Sequence, residues 1–591
     1  MRSTKTHALF LAFFFSLGAN ATSFGQSGSS ASTTESKVAK VDALVSTFAE
    51  YGQFNGAVLV AEKGKVIYKK GFGLANMEWD VPNTTDTKFR LASVTKQFTA
   101  MLIMQLVAEN KVALDVPIAN YLPGYPKAQA EQITLHHLLS HTSGIPNFTD
   151  FPSYPEVMGR TNSPSDLMRL FADSALEFTP GERFAYSNSG YTVLGAIVEQ
   201  VTGMSYEQAL HERIFAPLGM IGSGVDHGRT VLKKRASGYD RSGATYTNTS
   251  YIDMSVPFSA GAIHSTVEDL FRWDQALYTE KLLPKKYRDL MFQPQIQTGG
   301  GGAYGYGWGV GELSMGNAEE RSKTVSHSGG INGFHTLITR IPADSILIVE
   351  LNNTSSAPLY EMTAAINGIL HDRPYDMPQM SLANVIVTTM EKDGIDKATA
   401  QFAALKGSKE HYLAEVEMNA AGYELLRSGK IAEAAAVFKM NVDGFPNSFN
   451  PYDSYAEVLL ALGDTAKAIE NYTRSVQLNP ANSNGIQVLQ GLGVATDDLF
   501  VQIPAEQLPL FVGKYIATKE TAGRKDDWTI VIEEVDGQLF GKDGDYRYKL
   551  VPNGENTFVN PDDGATIVFD TSNKKAISFV IFGKVTFKKV K

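Results

Sequence analysis

The sequence predicts a multidomain α+β protein: an antiparallel sheet interrupted by a helical insertion, then an array of α-helical repeats, then a small antiparallel β-barrel or sandwich. Three observations carry that reading. Strand-like runs near residues 56–68 return at 334–349, after a stretch at 133–300 dominated by helix and loop signals. Residues 383–500 are helical in pattern and repeat with a period of 34. From about residue 508, short strand-like runs alternate with Asp-Gly and Asn-Gly dipeptides. At 591 residues the chain is also too long for a single hydrophobic core.

The elements follow in chain order. Arg2 and Lys5 precede an apolar run at 8–17 and then Ala19-Asn20-Ala21. A positive start, an apolar middle and a small-residue site make residues 1–21 an expected secretory signal, too short to span a bilayer. Residues 22–37, rich in Ser, Thr and Gly, are expected to be a flexible leader. The first domain is placed at 38–372. Within it, Gly56-Ala57-Val58-Leu59-Val60-Ala61, then Gly64, then Val66-Ile67-Tyr68 reads as a hairpin. An apolar helix follows Ser93 and runs through Leu102, Ile103, Leu106 and Val107. The strand signal returns with Phe334-His335-Thr336-Leu337-Ile338 and Ser345-Ile346-Leu347-Ile348-Val349. The glycine run at 299–302 reads as a mobile loop.

In the repeat region Gly429 matches Gly463, Leu426 matches Leu460, Ala434 matches Ala468, Phe438 matches Tyr472, and Pro446 matches Pro480. A small alanine, an aromatic four residues on and a later proline at this period form the tetratricopeptide pattern. A degenerate copy is expected around Gly394, Ala398 and Phe402, with a further helix at 486–492 as a cap. The last domain is placed at 508–591. Its turns are expected at Asp536-Gly537, Asp543-Gly544, Asn553-Gly554 and Asp563-Gly564, because those dipeptides tolerate positive φ.

Composition removes several classes of function. The net charge of −10, with no long basic run, argues against a nucleic-acid binder. The chain has no cysteine, which excludes disulfides, thiolate metal sites and a cysteine nucleophile. Together with the expected signal, this fits an exported protein, periplasmic or secreted, of a bacterium.

The chemistry begins at Ser93-Val94-Thr95-Lys96. Residues i and i+3 of a helix face the same way, so the amine can reach the hydroxyl. Serine is a poor nucleophile until a base takes its proton. Lysine can be that base only if its amine is kept neutral, by burial or by another cation. A second match, Ser572-Asn573-Lys574-Lys575, has no apolar helix behind it and reads as a solvated turn.

Two further strings accompany Ser93. One is Pro180-Gly181-Glu182-Arg183-Phe184-Ala185-Tyr186-Ser187-Asn188-Ser189-Gly190-Tyr191, followed by an apolar stretch at 193–198. The other is His327-Ser328-Gly329-Gly330. In this order the three resemble the active-site motifs of the serine β-lactamase and penicillin-binding-protein superfamily, most of all its class C branch with D-aminopeptidases, DD-peptidases and esterases. Leu138-Leu139-Ser140-His141-Thr142-Ser143-Gly144 and Ala260-Gly261-Ala262-Ile263-His264-Ser265-Thr266 add to the likeness, which covers about 38–372. The resemblance implies an acyl-enzyme on Ser93. It implies that Tyr186 shares a proton with Lys96, the lysine cation favouring the phenolate, and that Asn188 orients Lys96 and donates to the substrate. A decoy, Tyr246-Thr247-Asn248, lies in a polar stretch with no helix after it.

Where the family usually has Lys-Thr-Gly, this chain has His327-Ser328-Gly329. A histidine, only partly charged near neutrality, is a weaker anchor for a substrate carboxylate than lysine. Gly329 is expected to let a ligand approach the strand, and the backbone amides of Ser93 and Gly330 to form the oxyanion hole. The expected substrate is a peptidoglycan-type or D-amino-acid peptide, or a small ester, with β-lactam hydrolysis as the alternative. A second alternative is a non-catalytic ligand sensor that recruits a protein partner through its repeats. No cofactor is expected. His136, His137 and His141 lack the glutamate that follows the first histidine of a zinc helix, so no metal is expected either. The C-terminal module resembles the small lipocalin-like domains that follow the hydrolase in some family members.

Overall fold

The computed structural model describes residues 28–242, 245–299, 301–496, 499, 503–522, 527–544, 546–560, 565–571, 576–581 and 583–590. The expected signal at 1–21, the start of the leader, the Asp563-Gly564 turn and the second Ser-x-x-Lys match at 572–575 lie outside the described residues. The chain divides into two compact units, one of residues up to Tyr239 with Thr249–Met377, the other of Asp240–Asn248 with Pro378–Lys591.

The first unit is built on an eight-stranded sheet. Its strands are β1 (Gly56–Glu62), β2 (Lys65–Phe72), β3 (Ile296–Gly299), β4 (Gly302–Tyr304), β5 (Gly309–Ser314), β6 (Arg321–Ile331), β7 (Phe334–Ile341) and β8 (Ile346–Asn352). Their order is β3-β4-β5-β6-β7-β8-β1-β2, and neighbours pair antiparallel. The first and last strands of the sheet in sequence, β1 and β8, are thus neighbours, with the helical stretch inserted between β2 and β3. Residues 56–61 of β1 are buried without a break, because both faces of the sheet are covered. On one face Val58 and Val60 meet α1 (Gly28–Glu50) and a late helix at Leu359–Leu370. On the other, Ala57 and Leu59 join a larger core around α2 (Thr95–Ala108). Residues 95–106 of that helix are all buried, Lys96, Gln97, Thr99 and Gln105 among them, so it runs through the core with no solvent face there.

One expectation changes here. Residues 28–37, read as leader, continue into α1, whose Val41, Leu44, Val45 and Phe48 bury against the sheet and extend the helix backwards. At the expected loop near 299–302, β3 and β4 pair as a hairpin up to Gly299 and Gly302, with positive φ at Gly299 and Gly301.

Between β8 and the Leu359–Leu370 helix lies a fully buried carboxyl, Glu350. One of its oxygens is hydrogen-bonded to Thr363 Oγ1, and the other has no partner among the described residues. Burial pushes its pKa up to about 8, the Thr363 bond opposing and the Glu361 charge adding to the rise. The folded protein therefore holds this proton over a range where the unfolded chain has released it. Stability is greatest below the unfolded pKa near 4.5 and falls as pH rises towards 8. Glu350→Gln keeps the shape without the charge. It is expected to raise the thermal midpoint at pH 8 by several degrees and at pH 4.5 by far less, a penalty of roughly 3 kcal/mol being removed near neutrality. Thermal melts of both proteins across that range measure the difference.

In the second unit, helices at Leu382–Asp393 and Ile395–Leu405 precede two further pairs, Glu415–Arg427 with Ile431–Gly444 and Phe449–Ala461 with Thr465–Leu478, and then Ser483–Gly491. Matched residues occupy matched places. Gly429 and Gly463 turn between helices at φ 78° and 79°. Ala434 and Ala468 are fully buried, beside the buried rings of Phe438 and Tyr472. The chain ends in a closed antiparallel barrel of eight strands, from Gly513–Ala517 to Val585–Val590, the first paired with the last. Its interior is filled by Tyr515, Phe558, Phe569, Phe579 and Phe587. Asp536-Gly537 makes the expected turn, both at positive φ. Asn553-Gly554 does not; the strand runs through it with a bulge, and the turn falls at Glu555-Asn556. Among the described residues no helix is long and apolar enough to cross a membrane.

Candidate active site

Ser93 sits on a sharp turn at the mouth of α2, made by residues 92–94. Ala92 is forced to φ 48°, a left-handed conformation that costs a non-glycine residue about 1 kcal/mol. The fold holds it there from several sides. The Leu91 amide donates to the Ile263 carbonyl at 2.8 Å, and the Thr336 hydroxyl of β7 donates to the Leu91 carbonyl at 2.9 Å. β6 crosses so close that a Cβ on Gly329 would lie 2.1 Å from the Leu91 oxygen and 3.1 Å from the Ala92 Cβ. Gly329 thus leaves room for the nucleophile turn. Gly330 differs: a Cβ there would meet nothing within 4 Å, and the residue lines the cavity beside Ser93.

Lys96 lies one turn along and is fully buried. Its Nζ is 3.1 Å from Ser93 Oγ, 2.8 Å from Asn188 Oδ1 and 2.9 Å from the Ala260 carbonyl oxygen. Burial alone drives its pKa well below the ordinary lysine value, with no carboxylate among the causes. A neutral amine has two hydrogens and one lone pair. Asn188 Oδ1 and Ala260 O can only accept, so they take the two hydrogens. The lone pair is left for the Ser93 hydroxyl, which is the arrangement a general base requires.

Tyr186 and Asn188 straddle the start of α3 (Asn188–Thr202), whose N-cap Ser187 accepts from the Gly190 amide. Tyr186 is 36% exposed, with its hydroxyl within range of the Ser93 side chain. Lys96 Nζ lies 4.8 Å from the centre of that ring. Burial pushes the phenol pKa up, the Ser93 bond opposing. Burial penalises both charged forms, so it opposes the expected phenolate beside a lysine cation and favours phenol with amine.

His327 lies beneath this group and does not face the cavity as a cation. Its Nδ1 donates to the Ser328 carbonyl at 2.6 Å, so Nε2 accepts from the Tyr304 hydroxyl at 2.8 Å. Burial, reinforced by Lys96, lowers its pKa to about 4 against the Ser328 bond. It cannot supply the carboxylate anchor that its place in the motif suggested. His141 was read only as part of a turn, but it is the floor under Tyr186. The two ring centres are 4.3 Å apart, and His141 Nδ1 accepts from the Ser187 amide at 3.1 Å. His136 and His137 are taken up locally, by the Tyr306 hydroxyl and a Thr134 capping box. The decoy Tyr246-Thr247-Asn248 falls in a strand of the other compact unit.

Ser93 and Asn188 open on a cavity of about 200 Å³. Phe148, Tyr154, Ile252, Val256, Pro257 and Ile331 give it apolar walls, and Thr149 and Asn332 add neutral polar groups. Among the described residues, no lysine, arginine, histidine or carboxylate lines it. Spacing does not mark Thr149, Tyr304 or the Ala260 carbonyl as functional, because Asn188, His327 and Lys96, the partners that tie them to the site, lie 39, 23 and 164 residues away.

The chain is similar to several known proteins. Residues 41–370 match a family model described as Beta-lactamase. Penicillin-binding protein 4* of Bacillus subtilis (strain 168) is 33% identical over 364 residues, spanning 58% of this chain and 78% of that protein. Protein flp of Staphylococcus aureus (strain MRSA252) is 28% identical over 367 residues, 59% and 72% of the two chains. Among solved structures, an octameric penicillin-binding protein homologue from Pyrococcus abyssi shares the fold with a TM-score of 0.50 at 21% identity, covering 93% of this chain and all of that one.

Proposed function

The chain belongs to the Beta-lactamase family of serine hydrolases, and from that premise we propose that Ser93 is its nucleophile, attacking amide, ester or lactam carbonyls through an acyl-enzyme. The observation that carries the proposal is the buried Lys96 amine, 3.1 Å from Ser93 Oγ, with both hydrogens committed elsewhere. As Oγ bonds the carbonyl carbon, its proton passes to Lys96 Nζ. The oxyanion is taken by the backbone amides of Ser93 and Gly330, donors worth roughly 3 kcal/mol each in acyl transfer. The Tyr186 hydroxyl protonates the leaving group and is reprotonated from Lys96. Water then releases the acyl group by the reverse path. His327 with Tyr304 is a positioning pair in this scheme, not a substrate anchor.

The substrate read from the site is a small ester or a D-amino-acid peptide or amide, a peptidoglycan-type peptide being taken at a bond away from its free carboxyl end, rather than a penicillin, because among the described residues no cation lines the cavity to hold a carboxylate. The test is a panel of p-nitrophenyl esters, D-alanyl p-nitroanilide and nitrocefin, with Ser93→Ala protein as blank. Esters or the anilide should turn over at least tenfold more efficiently than nitrocefin. Nitrocefin as the preferred substrate would overturn this reading in favour of a β-lactamase of the class C kind.

We assign the regions outside 38–372 as follows. The paired helices within 383–500 are tetratricopeptide-like, supported by matched glycine, alanine and aromatic positions, and offer a surface for a protein partner. The barrel within 508–591 is a lipocalin-like module. Residues 1–21 export the chain to the periplasm or beyond.

A further inference from the structure

We infer that Thr149 is a specificity-determining residue that selects acyl groups carrying a second, neutral carbonyl. The inference rests on the reading of Ser93 as the acylated residue. It follows from counting donors and acceptors along one wall of the cavity.

Asn188 cannot be turned about its amide. Its Oδ1 accepts from Lys96 Nζ at 2.8 Å, so its Nδ2 faces the other way and donates to Thr149 Oγ1 at 3.3 Å. Asn147 is fixed likewise. Its Oδ1 accepts from the Asn188 backbone amide at 3.0 Å, and its Nδ2 donates to Thr149 Oγ1 at 2.7 Å. The threonine oxygen therefore receives two N–H groups. A hydroxyl has two lone pairs and one hydrogen, so only the hydrogen of Thr149 remains to be used.

Thr149 lines the cavity together with Ser93 and Asn188. Its hydroxyl is three hydrogen-bond links from the Ser93 oxygen, through Lys96 and Asn188. The walls around it are apolar, and the two carboxamides that line the cavity each have one N–H committed, Asn188 to Thr149 and Asn332 to the Ser250 carbonyl at 2.9 Å, leaving their second N–H to assist the same acceptor as Thr149. A simple alkyl acyl chain would leave the Thr149 hydrogen facing hydrocarbon, which is unfavourable for a desolvated donor. A carboxylate would accept that hydrogen but find no cation. A neutral carbonyl near the reacting one, as in an N-acylated aminoacyl group, satisfies the donor at no charge cost. Sites that hydrogen-bond a substrate group discriminate strongly against analogues lacking it.

The test compares wild-type, Thr149→Val and Thr149→Ser proteins on two p-nitrophenyl esters, that of N-acetylglycine and the butyrate. The first carries the second carbonyl and the second does not. The readout is the ratio of kcat/KM between the two esters. Valine, matched in shape but lacking the hydroxyl, should lower the ratio at least tenfold, and serine should restore most of it. A ratio unchanged within twofold overturns the inference, even if both rates fall, because Thr149 would then only position Asn188. A wild-type protein that turns over neither ester, with Ser93 unacylated by either, sinks the acyl-enzyme reading and this inference with it.

Discussion

Ser93→Ala is expected to abolish covalent labelling by a fluorophosphonate or a fluorescent penicillin and to lower kcat/KM on any accepted ester by roughly 10⁴-fold or more. Loss of a nucleophile in comparable serine enzymes costs about 10⁶ in kcat, and what survives comes from the oxyanion hole and binding. The geometry gives the reason for so large an effect here. The turn at 92–94 is held in a left-handed conformation by bonds from Leu91 to Ile263 and from Thr336 to Leu91. That bracing presents one hydroxyl, Ser93 Oγ, to a base at 3.1 Å. Removing Oγ leaves the bracing intact, so the variant should fold and melt close to wild type. Intact-mass spectrometry before and after the probe reads the result. A mass increment that persists on the alanine variant would place the nucleophile elsewhere.

How far the site could be read from sequence depended on the distance between partners along the chain. Ser93 and Lys96 were legible because helix geometry alone brings i and i+3 together. Tyr186 and Asn188 were legible as a string ahead of an apolar helix, and the structure sets them at its N-terminus. The central sheet was legible because the runs at 56–61 and 345–349 are unbroken apolar strands, and they pair with each other across almost 300 residues. His327 shows where this stops. Its place in the motif implied a group facing substrate, yet Tyr304, on a different strand, holds it below the cavity. No spacing rule connects those two residues. Thr149 is similar. Its donors are Asn147, two residues away, and Asn188, 39 residues away, and only the packed fold makes its hydroxyl a donor without an acceptor. Charge states were the least legible. From composition, a lysine beside a tyrosine suggests an ion pair. Only full burial of the amine, with carbonyl and carboxamide oxygens as its partners, favours the neutral pair.

Lys96→Met is expected to lower the acylation rate by about 10⁴-fold while leaving the protein folded, since a thioether of similar length in a dry site removes a buried polar group rather than adding one. The argument turns on the amine being neutral when substrate arrives. Its pKa is depressed by burial, and no acid stands near enough to hold the proton. In the wild-type protein, acylation should therefore already run at neutral pH. It should fall on acidification through that depressed pKa, since protonation consumes the lone pair that Ser93 needs. Lys96→Arg separates charge from length. A guanidinium stays protonated throughout the accessible range, so its residual acylation should not recover as pH rises towards 10. Single-turnover acylation of a p-nitrophenyl ester from pH 5 to 10, followed for wild type and both variants, measures all three. A wild-type profile that rises only near the ordinary lysine pKa of about 10.4 would mean a charged resting amine. Lys96 would then be an electrostatic support rather than the base, and Tyr186 would have to take the Ser93 proton.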